Sequence, residues 1–344
     1  MPTAHPATIA TEHQLRALIP EPSSKIRLKI LARLERHSRF VIEHSTIVAL
    51  ATNGVTGLDI RLLAGSQRVV VRDDTTIEIA DPDGSLAGAP AGAGLLFMVP
   101  GICETLRVNG RTSATRPGHV TISIDEVFLQ CPKAFVRSDL WQPASWRAGP
   151  PADAGEVVAE LSADLTGEMT AFVADSPFAV LATTSAAGNA DVSPRGDPRG
   201  AFVRVLDART LLVPDRTGNH LVDSLRNILS NPRAAIAFVI PGEPRTLHVD
   251  GRASLTADAA MLAPSAVQHK APKIGVVIEI ERARFTTNSL VGVWRRDALV
   301  DPKTFPSLGE MILDQVNPGG KTLNRIGSAL FDLGSAYHKK RRLY

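Results

Sequence analysis

Cysteine is nearly missing from this chain: Cys103 and Cys131 are the only two in 344 residues. They have neither CxxC spacing nor histidine neighbours at metal-ligand intervals. Neither a disulfide framework nor a thiolate metal site is expected, and both read as small buried hydrophobes in a reducing compartment. The nine histidines are scattered without an HExxH or comparable pair, so no dedicated metal site is expected either. No apolar run approaches the length of a membrane span, and the opening MPTAHPATIATEHQ has no basic and apolar regions of a secretion signal. The expectation is a cytoplasmic protein with no membrane partner. A surplus of one charge is lacking too. The net charge of +3 is too small to call for nucleic acid, and the basic run HKKRRLY reads as a solvated tail. No Ser/His/Asp or paired-carboxylate constellation supports hydrolysis. AGAPAGAGLL (87–96) lacks the GxGxxG spacing and leads into a strand, which removes a dinucleotide loop.

What is present is a globular composition, 44% hydrophobic and 21% charged, in a chain long enough for two domains. It is also a repeat. FMVPGICETLRVNGRTS (97–113) matches FVIPGEPRTLHVDGRAS (238–254) without a gap, and VTISIDEVF from 120 corresponds to VVIEIERAR from 276. Upstream, LAT at 50 matches LAT at 181 and the alignment runs on to Gly65 and Gly196. The copies join near WRAGPPADAG (146–155), whose Pro and Gly content suits a linker. The division is 1–147 for the first copy, 156–300 for the second and 301–344 for a helical tail.

Each copy opens on a helix, with Ile26, Ile30, Leu34 and Val41 on one face of KIRLKILARLERHSRFVIEH and LSADLTGEMTAFVAD as the partner. Short apolar or alternating segments rich in β-branched residues follow: TIVALAT, RVVVRD, TLRVNGRTS, VTISIDEV and their equivalents. Many short strands and few helices predict a β-barrel in each half, a mainly β fold with flanking helices.

The copies diverge one-sidedly. The second ends its second strand on Ser193-Pro194-Arg195-Gly196, where the first has Leu62, Leu63, Ala64 and Gly65. The second also carries PDRTGNHLVDSLRNILSNPR (214–233), a charged loop feeding an amphipathic helix, against DPDGSLAGAPAGAG in the first. Conversely, the first ends on CPKAFVRSDLW (131–141), with Lys133 and Arg137 four apart on one helical face, where the second has TTNSLVGVW. Each copy kept the set of polar residues that the other lost.

SPRGDP, PDRTGN…DSLRNILSNPR, PG…ETLRVNGR and CPKAFVRSDLW resemble the pyridoxamine 5′-phosphate oxidase-like superfamily of FMN-binding split barrels. They are closest to a bacterial branch that holds all of these motifs in one chain of roughly 200 residues. The resemblance implies two tandem split barrels forming an intramolecular pseudo-dimer, with FMN bound in the interface by residues from both. One interface site draws SPRG and DRTGN from the second copy and KAFVRS from the first; the other is decayed. Further oligomerisation stays open.

The flavin phosphate asks for arginines, hydroxyls and backbone N–H groups, each charge-assisted hydrogen bond contributing about 1.5–3 kcal/mol. The residues assigned to it are Arg195, Arg216, Asn219 and Ser224, with Lys133 and Arg137 from the first copy; Ser193, Gly196 and Asp215 are assigned to the cofactor as a whole. Gly196 is read as letting backbone approach the ligand, and Pro194 as ending the strand. Trp141 is read as an apolar wall for the ring, and Thr105 as a donor near its edge. No residue is singled out as catalytic. The expected activity is hydride transfer between flavin and a small organic molecule, with a nicotinamide donor as one option. Vitamin B6 is disfavoured, because VWRRDALV does not replace the arginine–histidine signature of the true oxidases. The alternative is a non-catalytic flavin- or haem-binding protein. His220 is the one histidine placed for haem, and a surface position is the expectation for it.

Overall fold

The computed structural model describes residues 7–54, 57–65, 68–81, 91–116, 118–147, 161–216, 218–287, 289–317, 324, 328 and 343–344. Most of the linker 146–155, the Gly/Ala-rich stretch 82–90, Thr217 and most of the tail beyond 317 lie outside them. An N-terminal arm holds β1 (Thr8–Ile9), α1 (Glu12–Leu18) and α2 (Ser24–Arg27). The first copy follows with α3 (Arg36–His44), β2 (Ile47–Gly54), β3 (Gly57–Ala64), β4 (Val69–Val71), β5 (Thr76–Ala80), β6 (Gly92–Met98), β7 (Thr105–Arg116), β8 (His119–Gln130) and α4 (Lys133–Arg137). The second has α5 (Gly167–Asp175), β9 (Phe178–Thr184), β10 (Ala190–Gly196), β11 (Arg204–Asp207), β12 (Thr210–Asp215), α6 (Asp223–Ser230), β13 (Arg233–Val239), β14 (Arg245–Thr256), α7 (Ala259–Leu262) and β15 (Ile274–Thr287). Among the described residues, α8 (Leu308–Val316) is the last of these elements. Among the described residues, no helix is long and apolar enough to cross a membrane.

The two antiparallel sheets have the same strand order, β3-β2-β6-β7-β8-β5-β4 and β10-β9-β13-β14-β15-β12-β11. Period-two alternation explains why the strands shared between them read as unbroken apolar runs. Along β2, Val48 and Leu50 point into their own barrel while Ile47, Ala49 and Ala51 point at the other. In β9, Ala179 and Leu181 face inward and Phe178, Val180 and Ala182 face across. The core between the barrels is rich in alanine, which lets the two sheets approach closely.

The repeated Pro-Gly turn completes the pairing. Gly101 and Gly242 have φ of +89° and +87°, left-handed values that favour glycine. A Cβ on Gly101 would run into the Val300 carbonyl, and one on Gly242 into the Arg147 carbonyl. Each copy therefore ends by crossing the other copy's turn. Val300 N–H donates to Pro100 O at 2.9 Å and Arg147 N–H to Pro241 O at 2.8 Å.

Packing at both ends crosses the sequence-based division. The arm lies on the second barrel: β1 pairs with β14, and Ile9 and Leu15 sit in the second core. Phe305, Met311 and Ile312 fill the first core instead. Asp314 of α8 accepts a hydrogen bond from Arg36 and lies 3.0 Å from His37 Nε2. The single opening helix expected over 25–44 is two pieces. Leu31 leaves the helical path to exchange backbone hydrogen bonds with Val127, and the Glu35 carboxylate caps α3 by accepting from His37 and Ser38 N–H. Neither cysteine is in a disulfide, and both are half-buried rather than fully buried.

Candidate functional site

A cavity of about 630 Å³ opens where the two copies meet, within the ~300–1,000 Å³ typical of small-molecule and cofactor sites. The second copy lines it with Ser193, Arg195 and Gly196 of β10, Asp215 and Arg216 at the end of β12, and Asn219 and Ser224 leading into α6. Lys133 and Arg137 of α4 come in from the first copy. Nine of the eleven sequence-assigned residues thus share one wall. Helix α6 is set by Leu225 and Ile228 in the second core, and by Asn227 Nδ2 donating to Thr183 Oγ1 at 3.1 Å.

The cations differ in how far they are committed. Asp197, fully buried, lies 2.6 Å from Arg216 Nε and 3.3 Å from Arg137 Nε. Burial pushes its carboxyl up, against the pull of the two guanidinium groups. Arg137 is also spent on backbone, donating to Gly196 O at 2.9 Å and Leu343 O at 3.1 Å. Arg195 pairs with Asp215 through one terminal nitrogen, while its buried Nε has no hydrogen-bond partner among the described residues. The Tyr344 ring lies 5.9 and 5.5 Å from the Arg137 and Arg216 guanidinium carbons. Burial first, then Asp197, pushes its phenol up to about 12.

Two roles read from sequence are corrected by geometry. A Cβ on Gly196 would meet Ala134 O at 2.5 Å and Ser138 Cβ at 3.0 Å. The glycine lets α4 of the first copy dock on β10, rather than a ligand. Pro194 does not end its strand: it pairs with Val180, and β10 runs on to Gly196. As the edge of its sheet, β10 tolerates the missing N–H.

Thr105 and Trp141 are not on the cavity wall. Thr105 is buried opposite Gln130 in the β7–β8 pair. The left-handed turn at Asp139 (φ +48°) sends Trp141 into the interface core. Its indole N–H donates to Ile102 O at 2.8 Å, and its ring packs on Phe135 and Trp294. His220 is half-buried on the cavity wall, not on the outer surface. Cys131 is on the wall too.

Other wall residues went unread. Leu18, Ile19 and Pro20 belong to the arm and Lys270 and Lys273 to a segment without a motif, while Tyr344 comes from the run read as a solvated tail. Arg107 could have been found, because it stands in TLRVNGR where the repeat has His248 in TLHVDGR. It is buried over the Phe128 ring (4.0 Å), with Nη1 2.7 Å from Asp191 and Nη2 on Asp223, both in the second copy. The mirror position holds His248 opposite Arg284, which reaches across to Asp59 at 3.1 Å. Burial, then Arg284, lowers His248 to about 4. Burial, with Asp223 and Glu126 against Arg107, raises Asp191 to about 7.

The sequence pattern of the pyridoxamine 5′-phosphate oxidase family matches residues 165–287. This span covers α5 and β9 to β15 of the second copy. No curated protein matches the chain. Solved structures that match include HupZ of Group A Streptococcus, 22% identical over 36% of this chain and 98% of its own, with a TM-score of 0.30. General Stress Protein 26 of Bacillus anthracis is 13% identical over 34% of this chain and 89% of its own, at 0.26. An F420 reductase is 21% identical over 33% and 92%, at 0.24. Each spans about a third of the chain.

Proposed function

We propose that the cavity is one composite FMN site and that the chain is an FMN-dependent oxidoreductase passing hydride between flavin and a small organic molecule. The observation that supports this best is the convergence of Ser193, Arg195 and Ser224 with Lys133 and Arg137, from two copies, on one wall. The residues present suit the group. The Nε of Arg195, a cavity-wall residue, is a buried donor without a hydrogen-bond partner among the described residues, and buried donors are rarely left unused. Lys133 supplies charge from the first copy. Arg137 and Arg216, held by Asp197, fix the wall and its positive field. Leu18, Ile19, Phe202 and Tyr344 offer the apolar and aromatic surface that the sequence assigned to Trp141. Bound flavin would supply the hydride chemistry, and the protein its binding, orientation and electrostatics. A nicotinamide fits as electron donor.

In this reading the chain is a fused pseudo-dimer of the copies 1–147 and 156–300, with the tail 301–344 reaching back to the first barrel and the cavity. His220 on the wall favours a second reading, a haem-binding protein, which one spectrum separates from the first. The purified protein should show oxidised-flavin absorption and release about one FMN per chain on heating. A Soret band would favour the haem reading, and neither chromophore after FMN is supplied would remove the first.

A further inference from the structure

We infer that Asp191 is a proton store for the cavity, exchanging its proton with the bound molecule through the hydroxyls of Ser224 and Ser193. This rests on the flavin reading only for the identity of the acceptor.

The route is short. Ser193 and Ser224 both line the cavity, with their Oγ atoms 3.0 Å apart. Ser224 Oγ lies 3.4 Å from Asp191 Oδ2, and Asp191 is buried behind the two serines. Its other oxygen, Oδ1, is buried with no aligned hydrogen-bond donor, although Arg107 Nη1 is 2.7 Å away. The groups facing Asp191 explain why it can carry a proton. Among the described residues, Arg107 of β7 is its one direct cationic contact and is shared with Asp223 of α6. Glu126 of β8 adds negative charge, and Arg195 of β10 adds positive charge from within its own pair with Asp215. Its cross-strand neighbour in β9, Thr183, is uncharged. One guanidinium between two carboxylates leaves the cluster short of positive charge, and a proton on the more buried acid restores the balance. The value of about 7 agrees with this geometry.

The transfer balances without a further reactant. The Asp191 O–H bond breaks as Ser224 Oγ accepts its proton. Ser224 passes its own hydroxyl proton to Ser193, and Ser193 passes its own to a basic nitrogen or oxygen of the bound molecule. Asp191 is left as a carboxylate beside Arg107, and the reverse sequence reloads it. No electrons move in these steps. The first copy places Ile60 and Leu62 where the second has Asp191 and Ser193. The relay therefore belongs to the side that kept the anion-binding residues.

The test uses the full chain without added flavin and reads the infrared carbonyl stretch of a protonated carboxyl. Wild type should show a band that titrates near pH 7 and is missing from Asp191→Asn. After a jump into deuterated buffer at pH 6, its shift reports exchange of the Asp191 proton. Ser224→Ala and Ser193→Ala should slow that exchange at least ten-fold while leaving the band in place. A structural carboxylate without a relay predicts exchange rates equal to wild type in both serine variants, which would overturn the inference, as would the absence of a titrating band. If Asp191→Asn fails to fold, the serine variants still decide. FMN binding is followed separately by fluorescence. Failure to bind with serine-dependent exchange intact would remove the flavin reading and leave the relay standing.

Discussion

Replacing Arg107 by alanine should loosen the whole molecule, because its guanidinium is a buried charged contact that ties the first barrel to the second copy beside the cavity. The side chain is 3% exposed, lies 2.7 Å from Asp191, and is shared with Asp223. Arg107→Ala leaves Asp191 and Asp223 without their shared direct counter-charge and removes packing from the Phe128 ring. Breaking a buried pair by deleting one partner costs about 3–5 kcal/mol. Asp223 is 28% exposed and water recovers part of that, so the lower end, about 3 kcal/mol, is expected. The loss should grow as the pH rises past 7, where Asp191 can no longer escape by holding a proton. Urea unfolding at pH 6 and pH 8 measures both features. The control is Asp191→Asn in the Arg107→Ala background, which should recover part of the loss; a non-additive cycle identifies the pair as the cause. Unchanged midpoints in Arg107→Ala at pH 8, or full additivity, would refute the reasoning.

Three further outcomes follow from the same geometry. Gly196→Ala should cost about 1–3 kcal/mol by overpacking and weaken FMN binding as well, since the new Cβ pushes on the Ala134 carbonyl of the helix that carries Lys133 and Arg137; thermal melting and a flavin titration read the two effects. Asp191, raised from 3.8 to about 7, contributes stability that is lost as pH rises through 7, whereas His248, lowered from 6.5 to about 4, contributes stability that is lost as pH falls through 4. The two slopes oppose each other between about pH 4 and pH 7. Asp191→Asn should therefore make melting steeply acid-sensitive and His248→Gln should make it alkali-sensitive; parallel profiles in both variants would contradict the assignment. Ala64→Arg should not create a second flavin site, because the first copy has no counterpart of Asp191 or Ser193 in sequence; a rise to two FMN per chain would show otherwise.

The repeat was legible because its motifs are chemical: Pro-Gly turns and runs of β-branched residues keep their spacing in both copies, and the two sheets follow the same strand order. The polar set of the cavity was legible through one-sided loss, since a residue such as Arg195 standing opposite Ala64 is conspicuous without any structure. Trp141 misled because an aromatic next to a motif looks available, while one left-handed residue, Asp139, turns it into the core. Gly196 misled for the opposite reason. Its lack of a side chain was read as room for a ligand, and a backbone carbonyl from the other copy fills that room. The arm gave no signal, since nothing in local pattern says that a segment crosses to the far barrel, and Tyr344 was passed over because the basic run before it reads as solvated. Arg107 was hidden inside a repeat whose close similarity drew attention away from the positions that differ.

The central claim is that both copies build one cofactor site, and equilibrium titration of FMN into wild type, Arg195→Ala and Lys133→Ala tests it most directly. Removing one charge-assisted contact of about 1.5–3 kcal/mol corresponds to a loss of roughly ten-fold or more. The account predicts that loss in both variants, with wild type saturating at one FMN per chain. Lys133→Ala binding like wild type while Arg195→Ala fails would contradict it, placing the site in the second copy alone.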